Sequence, residues 1–214
     1  MRDYLLSCIV LFLLLYLTPV AFWSFSKDLV RNRAEVFIFL LESRAHFDIN
    51  TKSILSLSND LSEFPYLSPH DLAVKSNLLE WYTYLTGGSS NSHEVFYVLS
   101  SSLEYRPTWS PTYIQLFKLY WRAGNEDKAI EMLRLANMFG PNRTDTMLTS
   151  VDYTFTNWLF ASQEDRLRAS KQLLTISESW KHRSELNQMI TYSPGKQRIC
   201  NMLAFNKVKV SACQ

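Results

Sequence analysis

Apolar and polar residues divide this chain into two regimes. Tyr4 to Phe25 read YLLSCIVLFLLLYLTPVAFWSF, twenty-two positions without Asp, Glu, Lys, Arg or His. As a helix rising 1.5 Å per residue this run reaches about 33 Å, enough to cross the roughly 30 Å hydrocarbon core of a bilayer. Beyond it, apolar residues recur at helical spacing between short breaks. Val36, Phe37, Phe39, Leu40 and Leu41 give an apolar face to a helix over Asp28–Phe47, and a weaker one covers Thr51–Leu61. Phe64-Pro65-Tyr66 interrupts the pattern. Ser68-Pro69-His70-Asp71 then combines a capping serine, a first-turn proline and an acid placed to reach back, a strong helix start. That helix runs to Gly87-Gly88. Others are predicted at His93–Tyr105, from Ser110-Pro111 (the same capped-proline device) to Gly124-Asn125, and at Glu126–Phe139, Asp145–Ala161, Glu164–Trp180, Arg183–Tyr192 and Lys196–Phe205. No alternating run is long enough for a sheet, so the fold class is all-α.

The N-terminal run reads as a retained signal-anchor rather than a cleaved signal. A signal's apolar core is shorter and ends in small residues. Here Pro19 stands two before Ala21, and aromatic residues flank Ser24. Tyr4, Trp23 and Phe25 sit near the ends, where aromatic rings favour the membrane interface. Cys8 reads as a small residue inside the span. Charge argues both ways on orientation. Lys27, Arg31 and Arg33 favour a cytoplasmic C-terminal side, whereas a tail as short as Met1–Asp3 favours export of the chain beyond the span. The expectation adopted is a membrane protein with one pass and an external, periplasmic soluble part.

Composition narrows the classes. A net charge of +2 carries no nucleic-acid signature. The balance is uneven: residues 27–179 hold fifteen Lys and Arg against eighteen Asp and Glu, whereas 180–214 hold six basic residues against Glu185 alone. Such a run is ordinarily a solvated surface. Three cysteines rule out a disulfide scaffold, and Cys200 with Cys213 leaves one pairing open should the domain face an oxidising compartment. Asn142-Arg143-Thr144 matches a glycosylation sequon by chance.

Pro107 to Pro141 is an interval of thirty-four residues, the tetratricopeptide period. Ser110 to Asn142 resembles that repeat: Tyr113, Leu116 and Tyr120 on a first helix, Gly124 in the turn, Ala129, Leu133 and Ala136 on a second, Pro141 at the end. Phe117 departs from the pattern where a small residue normally sits, which predicts a local splay. Leu78, Tyr82 and Gly87, then Val95, Leu99, Ser102 and Pro107, form a looser preceding unit. Asp145–Trp180 forms a degenerate following one. The architecture expected is therefore an N-terminal transmembrane helix followed by a short tetratricopeptide-like α-solenoid or a helical bundle. Its parts are an anchor over 1–27, a helical domain over 28–205 and a basic tail over 206–214.

No catalytic, cofactor or metal motif emerges. His46, His70, His93 and His182 are scattered without metal-ligand spacing. No glycine-rich phosphate loop or nucleophile elbow occurs. The carboxylate pairs Glu126-Asp127 and Glu164-Asp165 begin helices, where negative charge suits the positive dipole end. What remains is a partner surface. In a tetratricopeptide unit the first helix lines the groove, which makes Ile114, Lys118, Trp121 and Arg122 the groove candidates. Trp121 beside Arg122 suits a peptide or a sugar ring, and suits packing on a neighbouring unit equally well. Trp81, Tyr82 and Trp158 are open to the same two readings.

Arg106-Pro107-Thr108-Trp109-Ser110-Pro111, the helix through Tyr120, Ala136 and Gly140-Pro141 together resemble the VpsP-type polysaccharide biosynthesis proteins of Gram-negative bacteria. The helix carrying Trp158 and the segment around Arg198–Cys200 are similar too. The resemblance implies a membrane-anchored, non-enzymatic adaptor in exopolysaccharide synthesis or export. Its partners would be proteins of that complex, with lipid held through residues 4–25 and a glycan as a further ligand. It brings no catalytic residues. A helical-repeat scaffold for another envelope complex, such as cytochrome maturation or division, is the alternative, followed by a glycan-acting enzyme.

Overall fold

A computed structural model describes residues 2–42, 50–87 and 92–214, the side chains of 2–10 and 92 excepted. Ten α-helices and two short 3-10 turns occur among the described residues, and no strand. The all-α expectation holds. The helices form two compact units, 1–107 and 108–214, where the sequence pattern predicts one domain over 28–205.

In the first unit α1 spans Arg2–Glu42 without a break at residue 27. The anchor and the predicted Asp28 helix are one element, because neither Lys27 nor Asp28 interrupts helical geometry. Residues 43–47 of the predicted helix lie outside the described residues, as do His46 and the Gly88 stop. From Leu11 to Phe25 every side chain is exposed. Farther along, Ala34, Ile38 and Leu41, spaced at one helical face, are buried against α2 (Thr51–Ser62) and α3 (Pro69–Thr86). Ile54, Leu57, Leu61, Val74 and Leu78 complete that core, with Trp81 and Tyr82 packed on it. Both rings remain half-exposed. Among the described residues no helix is long and apolar enough to cross a membrane. The exposed apolar side chains described begin at Leu11, and residues 4–10 of the run lie outside the described side chains.

Ser68 caps α3 as predicted: its hydroxyl accepts from the Asp71 N–H at 3.2 Å, while its own N–H donates to Asp71 Oδ2 at 2.7 Å. Gly87 ends the helix in the left-handed region, φ 65°. The antiparallel partner α4 (Ser92–Tyr105) buries Val95, Leu99 and Ser102, three of the positions assigned to the looser repeat unit.

In the second unit α5 (Ser110–Arg122) and α6 (Glu126–Phe139) form the hairpin expected of the Ser110–Asn142 segment. Gly124 supplies the left-handed turn at φ 72°. Ala129 and Ala136 are both fully buried, which lets the two backbones approach. Two details differ from expectation. Trp109 rather than Ser110 is the cap residue of α5, and it makes no side-chain cap bond. The Ser110 hydroxyl is instead buried against Thr146 Oγ1 at 2.8 Å, a long-range partner no local pattern announces. Phe117, expected to splay the hairpin, points towards α7 (Thr144–Thr156), where it meets Tyr153 edge-on at 5.7 Å.

α7 ends five residues before the predicted Ala161. Asn157 N–H closes on the Tyr153 carbonyl, and the next turn-forming residues lead to α8 (Gln163–Glu178). Here Ser162 caps and Glu164 and Asp165 occupy the first turn, in the role predicted for them. α8 stops at Glu178 rather than Trp180, which joins a 3-10 turn, Trp180–His182. α9 (Arg183–Tyr192) and α10 (Lys196–Phe205) follow as predicted. Phe155, Val151, Leu173, Ile176, Leu186, Ile190, Ile199 and Leu203 build the core of this unit. Gly195 lies so close to α7 that a Cβ there would stand 2.7 Å from the Phe155 carbonyl carbon. Residues 206–214, predicted as a basic tail, are tied down. Val210 is buried, the Ala212 N–H donates to Asn187 Oδ1 at 2.9 Å, and Cys213 is disulfide-bonded to Cys200.

Candidate functional site

The groove residues chosen from sequence separate in space. Ile114 is 4% exposed and belongs to the interior. It cannot line an open groove, because α5 turns that face towards its packing neighbours. Lys118, Trp121 and Arg122 lie at the surface. The Arg122 guanidinium folds back, its Nε donating to the Lys118 carbonyl at 3.3 Å.

Three aromatic rings shape this surface. Phe117 stacks on Trp121 with centroids 6.2 Å apart and planes 18° from parallel. Tyr153 of α7 stands edge-on to Trp121 at 5.3 Å. Offset stacks and edge contacts of this kind match the positive rim of one ring to the negative face of another. Trp121 nevertheless remains 40% exposed. One side of Trp121 packs and the rest faces solvent.

Polar groups gather around this shelf. Burial, then the charges of Glu126 and Asp165, push the Tyr153 phenol above the usual tyrosine range. Asp152, its neighbour on α7, is largely withdrawn from water. Burial raises its pKa above the usual carboxylate value, against the hydrogen bond from Ser193 and the charge of Lys118. Its Oδ1 finds no donor among the described residues. Ser193 also accepts from the Gly195 N–H at 3.0 Å, so the α9–α10 turn holds the hydroxyl in place. Asp152, Tyr153 and Ser193 were not singled out from sequence. The available signal was an acid next to Val151 on the buried side of a helix.

This arrangement can grip a partner through an aromatic face with one amine and one weakly acidic carboxyl beside it. Among the described residues no group of His, Cys, Asp and Glu is placed to hold a metal ion. Two of the described histidines contact acids. His70 Nε2 meets Glu35 Oε1 at 2.6 Å, and His182 contacts Glu185 at 3.2 Å. Trp158, half-buried, packs at 4.9 Å on Phe155 with the Arg166 guanidinium over its ring.

A second set of interactions marks the base of the exposed half of α1. Asp71 is fully buried and receives Arg31 Nη1 at 3.1 Å and Lys27 Nζ at 3.3 Å. Burial alone would raise its pKa. The Ser68 hydrogen bonds and the Lys27 charge outweigh that and hold it below the usual carboxylate range. A recess of about 640 Å3 opens farther along, between α1 and α2, with Val36, Phe37, Leu40 and Leu57 in its wall. Arg33, Lys52 and Asp60 also line it. No family model, curated protein or solved structure matches the chain.

Proposed function

We propose that the chain is a membrane-tethered, non-enzymatic scaffold. In this reading residues 4–25 cross the inner membrane, and the α5–α7 shelf receives a protein of a polysaccharide synthesis or export complex. The observation that carries it is the change of surroundings along α1. Its first half offers uncharged side chains to whatever lies outside the fold, and its second half is packed at Ala34, Ile38 and Leu41. A helix that needed water around it would not keep fifteen consecutive exposed positions, Leu11 to Phe25, free of Asp, Glu, Lys, Arg and His. With residues 4–10 the run is long enough to span.

The Cys200–Cys213 disulfide supports an oxidising compartment, hence a periplasmic location for the folded part. Support for a scaffold over an enzyme comes from the shelf's aromatic and polar make-up. The polysaccharide assignment rests on the resemblance of the Arg106–Pro141 region. Deleting the gene is expected to abolish surface polysaccharide while precursor synthesis continues, and Trp121→Ala is expected to reproduce the loss without removing the protein from the membrane. Normal polysaccharide in the deletion strain rejects the assignment.

A further inference from the structure

We infer that the loop between α2 and α3, Glu63 to Leu67, is a second membrane contact, with Phe64 and Tyr66 seated in the interfacial layer beside the end of the apolar helix. The inference rests on reading residues 4–25 as a span. Trp23 lies two residues before the run ends, about 3 Å inside it along the helix. Phe64 meets Trp23 edge-on at 5.9 Å. Two residues later the Tyr66 carbonyl accepts from Lys27 Nζ at 3.5 Å, and Lys27 is the first charged residue after the run. The loop therefore brackets the last turn of the span, one aromatic at its apolar side and the next beside its first charge.

Its chemistry suits that depth. Tyr66 is 80% exposed, and a tyrosine presents an apolar ring and a hydroxyl to a layer that is greasy on one side and wet on the other. Pro65 carries no N–H to leave without a partner there. The contact is aromatic rather than electrostatic. Lys27 and Arg31 are committed to Asp71, Arg31 also to Asp28 at 3.0 Å, and these four charges cancel. Exposed Glu63 adds a negative charge, His70 is paired with Glu35, and Arg33 lies about 9 Å beyond Lys27 along the helix. Anionic headgroups thus have little to attract them to the loop.

The test uses the full chain with Cys8→Ser, a single nitroxide at Tyr66→Cys, and reconstitution into phosphatidylcholine vesicles. The control label is Lys52→Cys, ten residues before the end of α2 and about 15 Å farther from the loop. The ratio of oxygen to nickel-chelate collisions is expected to be several-fold higher at 66 than at 52, and unchanged by phosphatidylglycerol or high salt. Equal ratios, in protein that resists alkaline carbonate extraction, overturn the loop contact and leave the span standing. Extraction by carbonate overturns the span and this inference with it. Dependence on phosphatidylglycerol, or spin–spin broadening from a second copy over the loop, each overturns it as stated. Should Tyr66→Cys fold poorly, Pro65→Cys gives the same readout.

Discussion

In residues 1–107 the fully enclosed polar side chains include a carboxylate, Asp71, whereas in 108–214 the fully enclosed ones are the neutral Thr112 and Thr146, and the acid Asp152 is only partly withdrawn from water. Asp71 is fully enclosed and survives there because Ser68, Arg31 and Lys27 all converge on it. The second region relies on close apolar packing, a disulfide and neutral links such as Gln172 Nε2 donating to Asn137 Oδ1 at 3.0 Å. The difference teaches what each region must hold. Enclosing an ion is costly unless several partners meet it. That cost is accepted where α1 leaves the fold, at the point where its direction has to be set.

Four measurements break or sharpen this contrast. Phe155→Ala has the largest expected effect, a loss of about 4 kcal/mol, since the ring is 1% exposed at the centre of the second core. Segment-resolved hydrogen exchange should show the loss in 108–214. Asp71→Asn comes next, at about 3 kcal/mol at neutral pH, because Lys27 and Arg31 lose their carboxylate partner. Its folded pKa is lowered, so the stabilisation is complete above the unfolded value of about 3.9 and vanishes as pH falls through the folded one. Wild type and variant should therefore converge in acid denaturation. If they stay equally far apart at every pH, the charge is not what holds the helix.

Reducing Cys200–Cys213, which are 13 residues apart, is expected to destabilise the second region by about 2–3 kcal/mol and leave exchange in the first unchanged. The smallest effect has the opposite sign. Asp152 has a raised pKa, so its ionisation opposes folding: no penalty below about 3.9, then a growing one as pH rises through the folded value. Asp152→Asn should raise the melting temperature by a few degrees at pH 7 and change little in acid. A lower melting temperature at pH 7 would mean that the Lys118 and Ser193 contacts outweigh burial.

Local signals were enough wherever the decisive contact is a few residues away. Ser68 and Asp71 are three apart, so their capping box was readable, as were the Gly124 turn and the Ala129–Ala136 face. The candidate site was only half readable. Lys118 and Trp121 stood out on one helix, but Tyr153, Asp152 and Ser193 reach them from elements whose approach no spacing encodes. Ile114 failed for the same reason, because the repeat pattern orients a helix relative to an assumed neighbour.

By itself, then, the amino-acid order determined an all-helical chain, the punctuation of most helices and an uncharged N-terminal run, since backbone propensity and capping act over one or two turns. Only the tertiary structure decided that Ser110 bonds Thr146 instead of capping, that the tail is pinned, and that Asp71 gathers Lys27 and Arg31. Each of those depends on atoms thirteen to forty-four residues apart meeting in space, a matter of packing that no local rule contains.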